Sequence, residues 1–264
     1  MDQPGRSSMT TLSVDGKSVR VFQFGSGKPV VYLHSIFGEV GEIPFFEALA
    51  SRGYRVIAPI IPGFPGSDHL DNFLKLEDMI YFLGRVIEVL DLGRVPLVGS
   101  SLGGWMACEL GTWFPDRYEK LVLINSFGLR VEGARVYDIF RGSQHQMWDL
   151  ALANGDGLDS LLEPALKFVD SDSLKLHLFS AMEATAAIGW NPYMHDPRLA
   201  DRLGRCGLDT LIVWGTLDGI IPLAHAEQLS SLIDGSRVVE ISTCGHVPVL
   251  EDSEFLANVV GDFL

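Results

Sequence analysis

Short, continuous apolar runs alternate with amphipathic segments along most of this chain, and this alternation constrains its fold more than any other feature. The runs "PVVYLHS" (29–35), "VPLVG" (95–99) and "TLIVWG" (210–215) are typical of parallel strands that are buried on both faces. Apolar residues at helical spacing occupy stretches between such runs, for example residues 76–90. This order predicts an α/β fold with a mostly parallel central β-sheet of about eight strands and helices on both faces.

The alternation stops in the middle of the chain. Residues 130–205 contain helical patterns, such as "SLKLHLFSAMEATAAIGW" (173–190), but no clear strand. We therefore predict a core domain formed by residues 1–129 and 206–264. Residues 130–205, called the cap segment below, are predicted to form a helical cap or lid over the carboxyl edge of the sheet.

Composition and charge exclude several classes of partner. The net charge of −14 and the lack of a Lys/Arg cluster argue against nucleic acid as a partner. No run of 18 uncharged apolar residues occurs, so we expect no membrane insertion. The N-terminus lacks a signal-peptide pattern, and the three cysteines (Cys108, Cys206 and Cys244) show no CxxC spacing. A reducing, cytoplasmic location is expected.

The stretch "GSSLG" (99–103) places two serines between glycines. Ser100 has bulky residues two positions away on each side, whereas Ser101 has Gly99 and Gly103 there. That is the G-x-S-x-G pattern, in which the serine occupies a sharp strand-to-helix turn that leaves no room for neighbouring side chains. The pattern predicts that Ser101 is a nucleophile.

A serine hydroxyl needs a base, and the base needs an acid to orient it. Asp218 lies three residues beyond Gly215, where a predicted strand ends, and His246 follows the next predicted strand. Either residue alone could be a turn former or a residue at a helix start. Because both loops follow the carboxyl ends of adjacent strands, we expect Asp218 and His246 to converge on Ser101.

At this point the chain resembles the α/β-hydrolase superfamily over nearly its whole length. The segments that carry the resemblance are "PVVYLHS", "GSSLGGW", "VWGTLDGIIP" and "CGHVPVLED". The resemblance implies a Ser101–Asp218–His246 catalytic triad, and an oxyanion hole formed by the backbone N–H groups of Ile36 and Leu102. Ser35 stands where relatives usually carry glycine, and a residue with a side chain restricts that loop.

Proteins that share this fold and triad act on several kinds of substrate. Our leading hypothesis is a cofactor-independent serine hydrolase that cleaves carboxylic esters of small, mainly apolar compounds through an acyl-enzyme. The alternatives are a carbon–carbon bond hydrolase of ring-cleavage products, a lactonase, and a non-catalytic small-molecule-binding protein. Dicarboxylate-like ring-cleavage products call for basic pocket residues, and none of the candidates in the cap segment is compelling: Arg130, Arg135, Arg141 and Lys167.

The cap segment also supplies candidate pocket residues. Met147, Trp148, Met182 and Trp190 are expected to line a substrate pocket, although packing within the cap would explain them about as well. The histidines show no metal-ligand spacing, and no nucleotide-binding glycine pattern follows a strand, so neither a metal nor a cofactor is expected. The expected partner is a small-molecule ester, and the expected assembly is a monomer or a homodimer.

Overall fold

The computed structural model describes residues 7–71, 75–154, 157, 161–162 and 174–264. Eight strands form one sheet: β1 (Ser7–Val14), β2 (Lys17–Gly25), β3 (Lys28–Leu33), β4 (Tyr54–Pro59), β5 (Val95–Ser100), β6 (Tyr118–Ile124), β7 (Asp209–Gly215) and β8 (Arg237–Ile241). Their order across the sheet is β1-β2-β4-β3-β5-β6-β7-β8, and only β2 runs opposite to the other strands. The predicted α/β fold with a mostly parallel sheet of about eight strands is confirmed.

Helices cover the sheet. Every residue of β5 is buried, as expected for a strand that is covered on both faces. The described helices are α1 (Pro44–Ser51), α2 (Leu76–Val89), α3 (Leu102–Trp113), α4 (Gln144–Ala151), α5 (Leu174–Gly189), α6 (Leu199–Leu203), α7 (Ala224–Leu232), α8 (Pro248–Glu251) and α9 (Ser253–Phe263). Helix α1 packs on α9, and α2 packs on α3, which also lies against β5 and β6.

The first two strands form a hairpin whose turn follows from its sequence. Val14 pairs with Lys17, so the loop contains only Asp15 and Gly16. Both have positive φ angles, 48° and 80°. Two-residue hairpin loops favour Asp-Gly because both central residues must adopt this left-handed region.

Helices α4, α5 and α6 lie between β6 and β7, in the region for which the cap was predicted. The described residues of this region contain isolated bridges, Gly128 with His195 and Val131 with Ala134, but no strand. The boundaries at residues 130 and 205 stay a prediction. Lys167, one of the candidate basic residues, lies outside the described residues.

Within the part of the chain that the structure describes, no helix is both long and apolar enough to span a membrane. Cys108, Cys206 and Cys244 are all buried and carry free thiols.

Candidate active site

Ser101 sits on a strained turn between β5 and α3. Its φ and ψ angles are 55° and −113°, a conformation that residues with side chains rarely adopt. A Cβ atom at Gly99 would overlap the backbone of Gly103, and a Cβ atom at Gly103 would overlap the carbonyl oxygen of Leu33. Both flanking glycines are therefore required by close backbone approach, which is the physical basis of the sequence pattern.

The structure brings His246 and Asp218 to this serine. Ser101 Oγ lies 2.8 Å from His246 Nε2, and His246 Nδ1 lies 2.8 Å from Asp218 Oδ2. Because a carboxylate only accepts hydrogen bonds, Nδ1 donates to Asp218 and Nε2 accepts from the hydroxyl. Ser101 and His246 are fully buried, so the site is closed to solvent in this structure.

The Asp218 carboxylate is held by further donors. Its Oδ1 accepts from the backbone N–H groups of Ile220 at 2.7 Å and Ile221 at 2.9 Å. Its Oδ2 also accepts from Asn125 Nδ2 at 2.7 Å, and Asn125 Oδ1 accepts from the N–H of Gly215 at 2.9 Å. Sequence patterns alone do not single out Asn125. The available signal was its position directly after β6, at the edge of the sheet where the other two loops meet.

The loop after β3 leaves one backbone donor unused. Ser35 N–H donates to Glu39 at 2.8 Å, Phe37 N–H donates to Ser35 Oγ at 3.1 Å, and Gly38 N–H donates to the Ser35 carbonyl at 3.1 Å. The N–H of Ile36 has no partner among the described residues. An unpaired donor in this loop is what an oxyanion hole requires.

The residue that follows Ser101 also has an unused backbone donor. The N–H of Leu102, at the start of α3, also has no partner in the described ranges. The next amide, Gly103 N–H, donates to the His34 carbonyl at 3.0 Å and so joins the two loops. The amides of Ile36 and Leu102 are thus both available for a ligand.

Ser35 is anchored by a buried carboxylate. Glu39 is fully buried and accepts hydrogen bonds from Ser35 Oγ, the Ser35 N–H and, at 2.7 Å, Tyr32 Oη. Burial raises the pKa of Glu39, and its hydrogen bonds oppose that rise. The serine at the usual glycine position therefore forms part of a hydrogen-bonded loop, a feature that its sequence neighbours did not reveal.

His34 braces the same loop in its neutral form. Its Nδ1 lies 2.8 Å from the Ser35 carbonyl oxygen, and its Nε2 accepts from the N–H of Ile61 at 3.0 Å. Burial lowers the pKa of His34 from 6.5 to about 4. The ring is thus a neutral structural link between two loops.

The end of α4 fits between the two loops that carry the acid and the base. The Leu150 carbonyl accepts from Gly219 N–H at 2.9 Å, and the Ala151 carbonyl accepts from His246 N–H at 2.6 Å. A Cβ atom at Gly245 would overlap the Ala151 carbonyl oxygen, so the cap and the base loop are in direct backbone contact.

A second cap helix reaches the oxyanion loop. His177 of α5 is buried, and its Nε2 lies 2.9 Å from the Phe37 carbonyl oxygen. The described part of the cap segment therefore contacts all three loops of the candidate site.

The four predicted pocket residues differ in how deeply they are buried. Met147 is buried, and Trp148 and Met182 are partly buried against the main core. Trp190 is 65% exposed and packs on Phe140, with ring centroids 5.3 Å apart. A side chain so open to solvent does not line the closed space around Ser101, and the expectation that Trp190 lines a substrate pocket stays a prediction.

Trp190 instead lines an open groove of about 1470 Å³ on the cap side. Arg130 and Arg135, both exposed, line the same groove, and Ser101 is not among its lining residues. Arg141 is also exposed. Among the described residues, no group of three or more His, Cys, Asp or Glu side chains could hold a metal ion.

Residues 28–253 match the family model described as alpha/beta hydrolase fold. This chain belongs to the α/β-hydrolase family. A 2-hydroxy-6-oxononadienedioate/2-hydroxy-6-oxononatrienedioate hydrolase of Escherichia coli O9:H4 (strain HS) is 30% identical to it over 288 residues, covering 99% of this chain and 98% of the relative.

Solved structures show the same architecture. A 2-hydroxy-6-oxo-6-phenylhexa-2,4-dienoate hydrolase from Rhodococcus sp. strain RHA1 aligns with a TM-score of 0.79 at 18% identity, covering 98% of this chain and 99% of that one. A membrane phospholipase A described as a bacterial virulence factor aligns with a TM-score of 0.81 at 20% identity, covering 97% and 85%. At these identities the two structures show the fold alone.

Proposed function

We propose that this protein is a cofactor-independent serine hydrolase that cleaves a carbon–carbon bond in ring-cleavage products of the 2-hydroxy-6-oxo-dienoate type. One observation carries the choice of substrate class. The 30% identity to a hydrolase named for such substrates extends over 99% of this chain, so it includes the cap segment as well as the core. This choice reverses our sequence-based preference for esters.

In the proposed reaction Ser101 attacks the carbonyl carbon at position 6 of the substrate. His246 takes the hydroxyl proton through Nε2, which already lies 2.8 Å from Ser101 Oγ. Asp218 holds the imidazole in the required tautomer and stabilises its positive charge. The N–H groups of Ile36 and Leu102 stabilise the oxyanion.

Collapse of the tetrahedral intermediate breaks the bond between carbons 5 and 6. The substrate reacts as its 2-oxo tautomer, in which the proton of the 2-hydroxyl group has moved to carbon 5. The electron pair of the broken bond is therefore delocalised from carbon 5 onto the oxygen at carbon 2, and His246 returns its proton to that oxygen. Water, activated by His246, then hydrolyses the acyl-Ser101 ester. The balance is one substrate and one water giving a carboxylic acid and a 2-hydroxydienoate.

A carboxylic ester of a small, mainly apolar compound is the second candidate. Its support is the absence of lysine or arginine from the described hydrogen bonds of Ser101, Asp218 and His246. Dienoate substrates carry a carboxylate that a cation would neutralise, whereas a neutral ester needs none. A lactone would meet the same groups.

A substrate panel tests the proposal. The purified protein is assayed with a 2-hydroxy-6-oxo-dienoate, its dicarboxylate analogue, p-nitrophenyl esters of graded acyl length and a lactone, with Ser101→Ala as the matched control. We expect kcat/KM to be highest for a dienoate and activity on every substrate to be lost in Ser101→Ala. Higher kcat/KM for the esters would replace the proposal with its second candidate, and an active Ser101→Ala variant would overturn both.

A further inference from the structure

Glu251 holds the loop that carries the base. It ends α8, and its Oε1 accepts from the backbone N–H groups of Gly245 at 2.9 Å and Val247 at 3.3 Å. These are the residues on either side of His246. The carboxylate therefore fixes the backbone on both sides of the imidazole without touching the reacting atoms.

The other oxygen of the same carboxylate reaches the cap segment. Glu251 Oε2 accepts from the N–H of Ala153 at 2.8 Å, just beyond the end of α4. Two residues earlier, the Ala151 carbonyl accepts from the N–H of His246 at 2.6 Å. The base loop and the cap are thus joined by reciprocal bonds, one in each direction.

This arrangement needs a carboxylate rather than any polar side chain. Both oxygens of Glu251 face N–H donors, and only a carboxylate accepts through both. Burial raises the pKa of Glu251, while the three backbone donors and nearby His246 oppose that rise. A carbonyl or hydroxyl at this place could satisfy only one side of the junction.

We propose that Glu251 is a positioning residue that couples docking of cap residues 150–153 to the placement of His246. The base is held in reach of Ser101 only while this part of the cap is bound to its loop. The coupling rests on the proposed function only in the choice of assay substrate.

Glu251→Gln is the direct test, with Asp252→Asn as the matched control. In either orientation the glutamine amide turns its NH₂ group toward at least one backbone N–H donor, so the junction loses a bond and gains a repulsive contact. We expect kcat to fall about tenfold or more with KM changed much less, since the loss of hydrogen bonds of this kind weakens positioning. Asp252 caps α9 through Phe255 N–H, and its replacement should leave kcat within about twofold, because asparagine caps helices equally well.

Amide hydrogen exchange locates the effect. Exchange at Ala153, Gly245 and Val247 should accelerate in Glu251→Gln, while exchange in β5 stays as in the unmodified protein. A variant with unchanged kcat, or with unchanged exchange at these three amides, would overturn the proposal. A fall in stability accompanied by equal changes in kcat and KM would mean a merely structural role.

Ala153→Pro removes the donor on the cap side and puts the ring's Cδ atom where the N–H hydrogen faces Glu251 Oε2. Leu152 is already extended, with φ −108° and ψ 142°, as a residue before proline must be. We expect the same loss of kcat and faster exchange at Gly245. If both variants failed to fold, Glu251 would be a support of the global fold and the proposed coupling would be wrong.

The outcome is separable from the proposed function. If the unmodified protein turned over neither dienoates nor esters, the proposed function would fail, and the exchange experiment would still decide the coupling. The rate at which a fluorophosphonate labels Ser101 gives a second readout, because labelling needs a placed base but no natural substrate. That rate should fall in Glu251→Gln and stay unchanged in Asp252→Asn.

Discussion

Asn125 donates its side-chain N–H to Asp218 Oδ2 over 2.7 Å, at the same oxygen that lies 2.8 Å from His246 Nδ1. Asn125 and His246 both donate to this oxygen, and a carboxylate oxygen can accept two hydrogen bonds. The asparagine therefore leaves the carboxylate free to hold the imidazole. Asn125 has φ 42°, so its backbone adopts a strained conformation to place the amide there. It acts through Asp218 and is a positioning residue in the proposed mechanism.

Asn125→Ala should lower kcat by about 10- to 100-fold, because hydrogen bonds to charged groups contribute about 1.5–3 kcal/mol. KM should change little, since the amide does not reach the substrate. Steady-state kinetics on the best substrate of the panel measures both. Ser126→Ala is the control: its hydroxyl donates to the Phe127 carbonyl, and kcat should stay within about twofold. Equal losses in the two variants would contradict a specific role for Asn125.

Ser35 and Glu39 should affect kcat through the hydrogen bond that they share. Ser35→Ala or Glu39→Gln should reduce kcat by roughly tenfold, the cost of loosening one oxyanion donor without deleting it. The double variant should lose little more than either single variant, because both substitutions break the same bond. Tyr32→Phe removes a different donor to Glu39 and should affect stability more than kcat. Strictly additive losses in the double variant would show that the two residues act independently.

Variants of two tryptophans in the cap segment should distinguish a pocket residue from a surface residue. The Trp148 indole nitrogen is buried without a hydrogen-bond partner among the described residues, so Trp148→Phe should leave the free energy of unfolding unchanged or raised by about 1 kcal/mol. If Trp148 contacts substrate, the same variant should reorder kcat/KM across the panel. Trp190→Phe, at an exposed position, should change neither quantity. A reordered panel in Trp190→Phe alone would reverse this assignment.

Acidification should destabilise the protein through its buried histidines. Burial lowers the pKa of His34 to about 4, and also lowers the pKa values of His177 and His225. Between pH 6.5 and 4 the unfolded chain binds a proton at His34 that the folded protein does not, so the stability present above pH 6.5 is lost as the pH falls. For His34 the loss is about 2 kcal/mol between pH 7 and pH 5.

Urea unfolding of the unmodified protein and of His34→Asn at those two pH values measures this contribution. The variant lacks the titrating ring, so its free energy of unfolding should fall by about 2 kcal/mol less on acidification. Identical pH dependence in both proteins would mean that His34 is not held neutral.

Local rules in the sequence determined much of the architecture and the centre of the candidate site. The hairpin follows from Asp15-Gly16. The place of Ser101 follows from the two flanking glycines, which lie against the backbone of neighbouring segments. Asp218 and His246 could be expected beside it because parallel strands end at one edge of the sheet. Each of these inferences needs only short segments and one general rule of sheet geometry.

The residues that hold the site in place depended on tertiary structure. Asn125 and Asp218 are 93 positions apart, and Ala153 and Glu251 are 98 apart, so no local pattern relates them. The exposure of Trp190 likewise depends on how the cap helices pack against the core. Turns and elbows arise from steric limits on a few adjacent residues, whereas these contacts arise only when the folded chain brings distant donors and acceptors together away from water.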